Sequence, residues 1–176
     1  MIIMIIIIGL EQVLINTFPG DSLGFGARPG EEEEFLSSLR ASLDYCTALD
    51  CRRLHIMAGR KVEGVARQEA RHTFRRNLEA ALPLLEAAGV VGLLEPINPW
   101  SVANYNMDNY SDAKELVTGL SSPWLRLQLD VFHLQQIQGN ITRSIKELLP
   151  IVGHVQVRHG TTFNTGCCNI LPFALR

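Results

Sequence analysis

The chain has 176 residues, 47% of them apolar, with a formal net charge of −2 and a pI near 6.2. That length fits one domain with a sizeable core. The slightly acidic balance excludes a general basic footprint for nucleic acid.

Four cysteines, Cys46, Cys51, Cys167 and Cys168, show no zinc spacing, and a chain of this size does not need a disulfide framework. They read as reduced thiols of a cytoplasmic protein. Residues 1–8 are a run of methionine and isoleucine. The run is shorter than the roughly 20 apolar residues of a membrane span. It also lacks the basic start and cleavage site of a signal peptide. Its β-branched residues favour a strand, which would either prolong the strand ending at Asn16 or stand as unrelated sequence. Left exposed, it is an aggregation hazard.

Val13-Leu14-Ile15 leads to Asn16 and Thr17, the first of five short apolar stretches that deliver a polar group near their ends. Residues 18–30 follow with Gly20, Gly24, Gly26 and Gly30, a pattern expected for a mobile lid. The glycine spacing is one residue off a dinucleotide fingerprint. Four glutamates at 31–34 would repel a pyrophosphate there, although they suit a helix N-terminus. A helix is expected to run to about Leu49, with Phe35, Leu39, Leu43 and Cys46 as its buried stripe.

Leu54-His55-Ile56-Met57 is the second strand. A helix over residues 66–88 carries a stripe of Phe74, Leu78, Leu82 and Leu85 and stops at Gly89. Pro83 is expected to kink it or end its first half. Arg67, Arg71, Arg75, Arg76 and His72 read as its solvated face. The third strand, residues 90–94, runs into Glu95-Pro96-Ile97-Asn98. Pro96 stops the strand from continuing as a central ladder member, so Glu95 stands at a strand end. A carboxylate there must be paired, protonated or metal-bound. Taken alone, an arginine-paired glutamate and an active-site glutamate are equally good readings.

A loop over residues 98–110 holds Trp100, Tyr105 and Tyr110 and borders Glu95. It reads as a cover for the site or as a surface loop with packed aromatics. A short helix with Ser111 as N-cap follows. Leu125-Arg126-Leu127-Gln128-Leu129 delivers Asp130. Residues 133–139 are expected to be a loop and residues 141–149 a helix. Gly153-His154-Val155 then delivers Gln156. His55, Glu95, Asp130 and Gln156 are spaced about as far apart as successive strand–helix units of a barrel.

The segments VLINTFPGD, RLHIMAGR, VGLLEPIN, LQLDVFH and ELLPIVGHVQV, in that order, resemble the hydroxypyruvate isomerase family of the xylose-isomerase-like TIM-barrel superfamily. The likeness covers residues 12–158. It implies an α/β fold, a partial (β/α)8 barrel of about five parallel strands with flanking helices. The first two strand units and the last are missing from it. The chain is then a single incomplete domain, 1–176, whose ends, 1–11 and 159–176, are atypical. No acid follows Glu147, so the family's second catalytic glutamate has no counterpart. Cys167, Cys168 and His159 fall in that unmatched tail.

The resemblance places the family's catalytic and metal-binding glutamate on Glu95 and its other metal ligands on Asp130 and Gln156. Substrate-side roles fall on His55, Asn98, His133 and His154. It implies interconversion of hydroxypyruvate and tartronate semialdehyde (2-hydroxy-3-oxopropanoate) by proton transfer through an enediolate. The oxygen ligands suit magnesium or manganese better than zinc. The expected partner is a small hydroxy-keto acid, not nucleic acid or a membrane, with homo-oligomers or aggregates forming through open sheet edges. Two alternatives stay open: a truncated, impaired form that only binds metal or a partner, and a metal-dependent DNA-repair nuclease of the same superfamily. The nuclease would call for more metal-binding histidines and a basic face.

Overall fold

The computed structural model describes residues 11–157. The isoleucine run and the tail bearing His159, Cys167 and Cys168 lie outside the described residues. Five strands form one sheet: β1 (Ile15–Asn16), β2 (Arg53–His55), β3 (Val91–Leu94), β4 (Leu125–Asp130) and β5 (Val152–Gln156). Their order in the sheet is their order in the chain, and every pairing is parallel. Parallel neighbours need a crossover between them. The helices that supply it are α1 (Glu32–Ala48), α2 (Arg67–Ala88), α3 (Tyr110–Leu120), α4 (Val131–Ile137) and α5 (Ile141–Leu148). A 3-10 turn, Leu149–Ile151, leads into β5. Among the described residues, the outer edges of β1 and β5 have no strand partner.

The alternation of side chains along each strand sorts the residues into two faces. Leu54, Leu94, Leu127 and Leu129 join Phe35, Leu39, Phe74, Leu78 and Leu85 of the helices in one core cluster. The intervening residues, His55, Gln128 and Asp130, point to the other face and are nonetheless buried. Each fully buried leucine contributes roughly 1.5–3 kcal/mol relative to exposure, so the helix-side cluster holds the frame in which the polar face is set.

Several local expectations are corrected. Helix α2 runs unbroken through Pro83. The proline removes one hydrogen bond, but Leu78 and Ala81 before it and Leu85 after it are fully buried, and that burial outweighs the loss. Gly89 ends the helix in the left-handed conformation, φ 63°. The cap of α3 is Asn109, whose side chain accepts from the Asp112 N–H at 2.8 Å; Ser111 does not cap it. Residues 133–139 are not all loop, because α4 occupies Val131–Ile137 and no glycine interrupts it before Gly139.

Residues 18–30 are pinned, not a loose lid. The Gly26 and Ala27 N–H groups donate to the Met57 and Ala58 carbonyls at 3.2 and 2.7 Å, and Arg60 N–H donates to the Ser22 carbonyl at 2.7 Å. Asn77 Nδ2 adds a bond to the Gly26 carbonyl at 2.8 Å. Gly24, at φ 111°, lies against the Met57 backbone so closely that a Cβ would collide with it. The glycines of this loop therefore serve backbone contact with the end of β2. The arginines of α2 are also engaged. Arg67 bridges Asp108 and Asp112, Arg71 bridges Asp112 and Glu115, and Arg76 reaches Glu32.

Candidate active site

The carboxyl ends of β1 to β5 gather a polar cluster around a cleft of about 450 Å³. Asn16, His55, Met57, Glu95, Ile97, Ser101, Gln128, His133 and Gln156 are among the residues lining it. Glu95 follows β3 directly and is 8% exposed. The chain after it is held in place, since Ile97 N–H donates to the Met107 carbonyl at 2.9 Å. Asp130 closes β4 and caps α4 at once, its Oδ1 accepting from the Phe132 N–H at 2.8 Å. The Tyr110 hydroxyl donates to the Asp130 carbonyl at 3.1 Å.

Glu95, Asp130 and His133 each bring one potential ligand atom within 4.8 Å of the others, and all three are buried. Two carboxylates that close, in a low-dielectric setting, favour a cation or a proton between them. Gln156 lies opposite Asp130 in the β4–β5 register. A register shift between Leu127 and Gln128 brings that pairing about. At the shift Gly153 packs against Arg126, where a Cβ would crowd the arginine side chain. Glu95 and Asp130 thus offer hard oxygens close together, of the kind that suit a divalent cation, and Gln156 stands in register beside Asp130.

The histidines differ in what they face. His55 Nδ1 lies 3.1 Å from Asn16 Oδ1 and 3.6 Å from Glu95 Oε2. Burial, with a smaller effect from nearby His133, lowers its pKa to about 4. The ring is therefore neutral at pH 7. Among the described residues its Nε2 has no hydrogen-bond partner. His133 Nε2 stands 3.9 Å from Asp130 Oδ2. His154 pairs in register with Gln128, two residues further down the strands from Asp130 and Gln156. Burial and then the Arg53 charge lower its pKa, and it does not line the cleft. Asn98 is fully buried and is likewise not presented to the cleft.

Two further side chains complete the cluster. Gln128 Nε2 donates to Gln156 Oε1 at 3.1 Å. Its place two residues before Asp130 is the period-2 signal that could have singled it out. Asn16 holds His55, and a strand-end asparagine alone gives no such indication. The cover is built from residues 98–110. The Tyr105 hydroxyl accepts from the Ala58 N–H at 2.9 Å, and Lys61 N–H donates to the Asn104 carbonyl at 2.6 Å. Burial first, and then the Glu95 charge for Tyr105 and the Asp130 and Glu95 charges for Tyr110, push both phenols upward, so each keeps its proton.

A parallel strand–helix sheet with acids at the carboxyl strand ends is the architecture of an α/β-barrel enzyme site. The family described as xylose isomerase-like TIM barrel matches residues 5–166, and the chain belongs to that family. A Homo sapiens protein named “Putative hydroxypyruvate isomerase” is 43% identical over 158 residues, which is 85% of this chain and 57% of that protein. The 2-oxo-tetronate isomerase of Cupriavidus necator is 31% identical over 153 residues, 85% of this chain and 59% of that protein. The chain thus spans little more than half the length of these curated relatives. Among solved structures, AP endonuclease, family 2 from Brucella melitensis matches with a TM-score of 0.87 and 32% identity. That match covers 96% of this chain and 67% of that one. The 3-keto-D-glucoside 4-epimerase of E. coli, at 16% identity and a TM-score of 0.74 over 90% of this chain and 62% of that one, shares the fold alone.

Proposed function

We propose that this chain carries the site of an intramolecular isomerase that interconverts hydroxypyruvate and 2-hydroxy-3-oxopropanoate. The observation that carries the reading is the buried convergence of Glu95 and Asp130, with Gln156 in register beside them. The names of the relatives that match across 85% of the chain point to the same chemistry. In this reaction one proton moves from C3 to C2 and another from O3 to O2, so no redox partner is needed. Glu95, Asp130 and Gln156 would hold a divalent cation, magnesium or manganese, which when bound polarises the substrate carbonyl.

Glu95 is the carboxylate placed to shuttle the carbon-bound proton. His133 borders the cleft from the first turn of α4, beside Asp130, where its ring can orient a substrate oxygen. His55, held neutral by burial, adds no positive charge beside Glu95. The strapped loop 98–110 keeps water away from the reacting carbons. The binding partner is a small hydroxy-keto acid. A nuclease role has less support, because Arg67, Arg71, Arg75 and Arg76 are all occupied by acidic partners. Among the described residues no helix is long and apolar enough to cross a membrane. The buried free thiols of Cys46 and Cys51 fit a reducing compartment such as the cytoplasm.

A coupled assay of the purified chain tests the reading, with hydroxypyruvate and 2-oxotetronate as parallel substrates and magnesium or manganese added. Turnover of hydroxypyruvate supports it, and preference for the four-carbon acid moves the assignment to the second substrate. Absence of metal binding and of turnover with either acid overturns it.

A further inference from the structure

We infer that Asn98 is a positioning residue, which fixes His133 as a hydrogen-bond donor to the site through Nε2 and keeps it out of the metal's ligand set. The inference rests on the proposed site but not on its turnover. Asn98 is 0% exposed. Its Oδ1 accepts from two backbone N–H groups, Trp100 at 3.0 Å and Ser101 at 2.9 Å. Those two donors settle which way the amide is turned, because an NH₂ group could not face them. Its Nδ2 must then lie on the opposite side, where it meets Ser101 Oγ at 3.1 Å and His133 Nδ1 at 2.7 Å.

The backbone N–H of Asn98 points at the same ring atom, 3.1 Å from His133 Nδ1. Two donors therefore converge on one imidazole nitrogen. A nitrogen that carries hydrogen cannot accept either bond, so Nδ1 presents its lone pair and the proton of the neutral ring sits on Nε2. That proton leaves Nε2 with no lone pair for a cation. By distance alone His133 qualifies as a third ligand beside Glu95 and Asp130, but its tautomer argues against that role. The usual arrangement for a ligating histidine is the reverse, with the other ring nitrogen donating its N–H to an acceptor. Here the other nitrogen accepts. The consequence is a division of labour within the cluster: Glu95 and Asp130 offer oxygens, and His133 offers an N–H.

The test is long-range ¹H–¹⁵N correlation NMR on the full chain with ¹⁵N-labelled histidine, first without and then with saturating Mg²⁺. His133 is assigned by loss of its signals in His133→Gln. The expected result is a protonated Nε2 and an unprotonated Nδ1 for His133 in both conditions. Asn98→Asp places a carboxylate oxygen beside Nδ1 and is expected to bring a proton onto Nδ1. Ser101→Ala, which removes only the other partner of the Asn98 amide, should leave the tautomer as it is. A wild-type His133 protonated at Nδ1, or one that loses its Nε2 proton when Mg²⁺ is added, overturns the inference. These readouts need neither turnover nor a soluble Asn98 variant. An inactive chain that keeps the Nε2–H tautomer therefore faults the isomerase reading and leaves this one standing.

Discussion

Glu95 Oε2 lies 3.6 Å from His55 Nδ1 across adjacent strands, and the contact joins a carboxylate to a neutral imidazole. In the β2–β3 register His55 aligns with Leu93, so Glu95 stands two residues further towards the carboxyl rim on the same face. Burial keeps the histidine unprotonated, so it brings no positive charge beside Glu95.

Glu95→Gln preserves the shape of this side chain but removes one anionic ligand and the base. Any isomerase turnover is expected to fall at least about a hundredfold, and Mn²⁺ affinity at least about tenfold. Steady-state kinetics and a metal titration check the pair of effects. Near wild-type turnover would remove Glu95 from its assigned role.

His55 supplies a pH dependence of stability. Its folded pKa of about 4 lies below the unfolded value of 6.5, so the unfolded chain binds the extra proton first. Its contribution is complete above pH 6.5 and is lost progressively as pH falls towards 4. The full span corresponds to about 3 kcal/mol. Urea unfolding of wild type and His55→Asn across that window should show a steeper acid loss for wild type. Parallel curves would contradict the buried neutral histidine.

The fold and the strand-end placement of Glu95 and Asp130 were legible in the sequence for a physical reason. Strand ends recur at barrel spacing, and Glu95, Asp130 and Gln156 each close an apolar run. The pinning of residues 18–30 was not legible, because glycine-rich composition looks the same whether it serves motion or close backbone contact. Only the packing of Gly24 on Met57 distinguishes the two. The role of Asn98 was hidden likewise. Its bonds run to Trp100, Ser101 and His133, and the last of these depends on a helix that sequence alone read as loop.

Gly24→Ala tests that packing. The alanine would need both a left-handed φ and space already taken by the Met57 backbone. A loss of about 1–3 kcal/mol is expected, measured by denaturant unfolding. Gly30→Ala serves as comparison, because a Cβ there meets nothing within 4 Å and only its φ of 85° counts against it. An equal cost at both positions would show that backbone conformation, not close approach, governs the loop.

Asn109→Ala removes the true cap of α3 and should cost about 1 kcal/mol. Ser111→Ala, one residue inside the helix, should change stability by no more than about 0.5 kcal/mol. Thermal or urea unfolding of the two variants decides between them, and the reverse ranking would restore Ser111 as the cap.

Because sheet order repeats chain order, each described strand after β1 docks on the one synthesised just before it, and among the described residues no pairing waits for a distant segment. Domains form from the N-terminal end as the ribosome extends them. Glu95 is thus set in place with β3, Asp130 joins it with β4, and the amide of Gln156 arrives last with β5. The two acids therefore meet before β5 docks, and on the proposed reading a cation held between them would precede that strand.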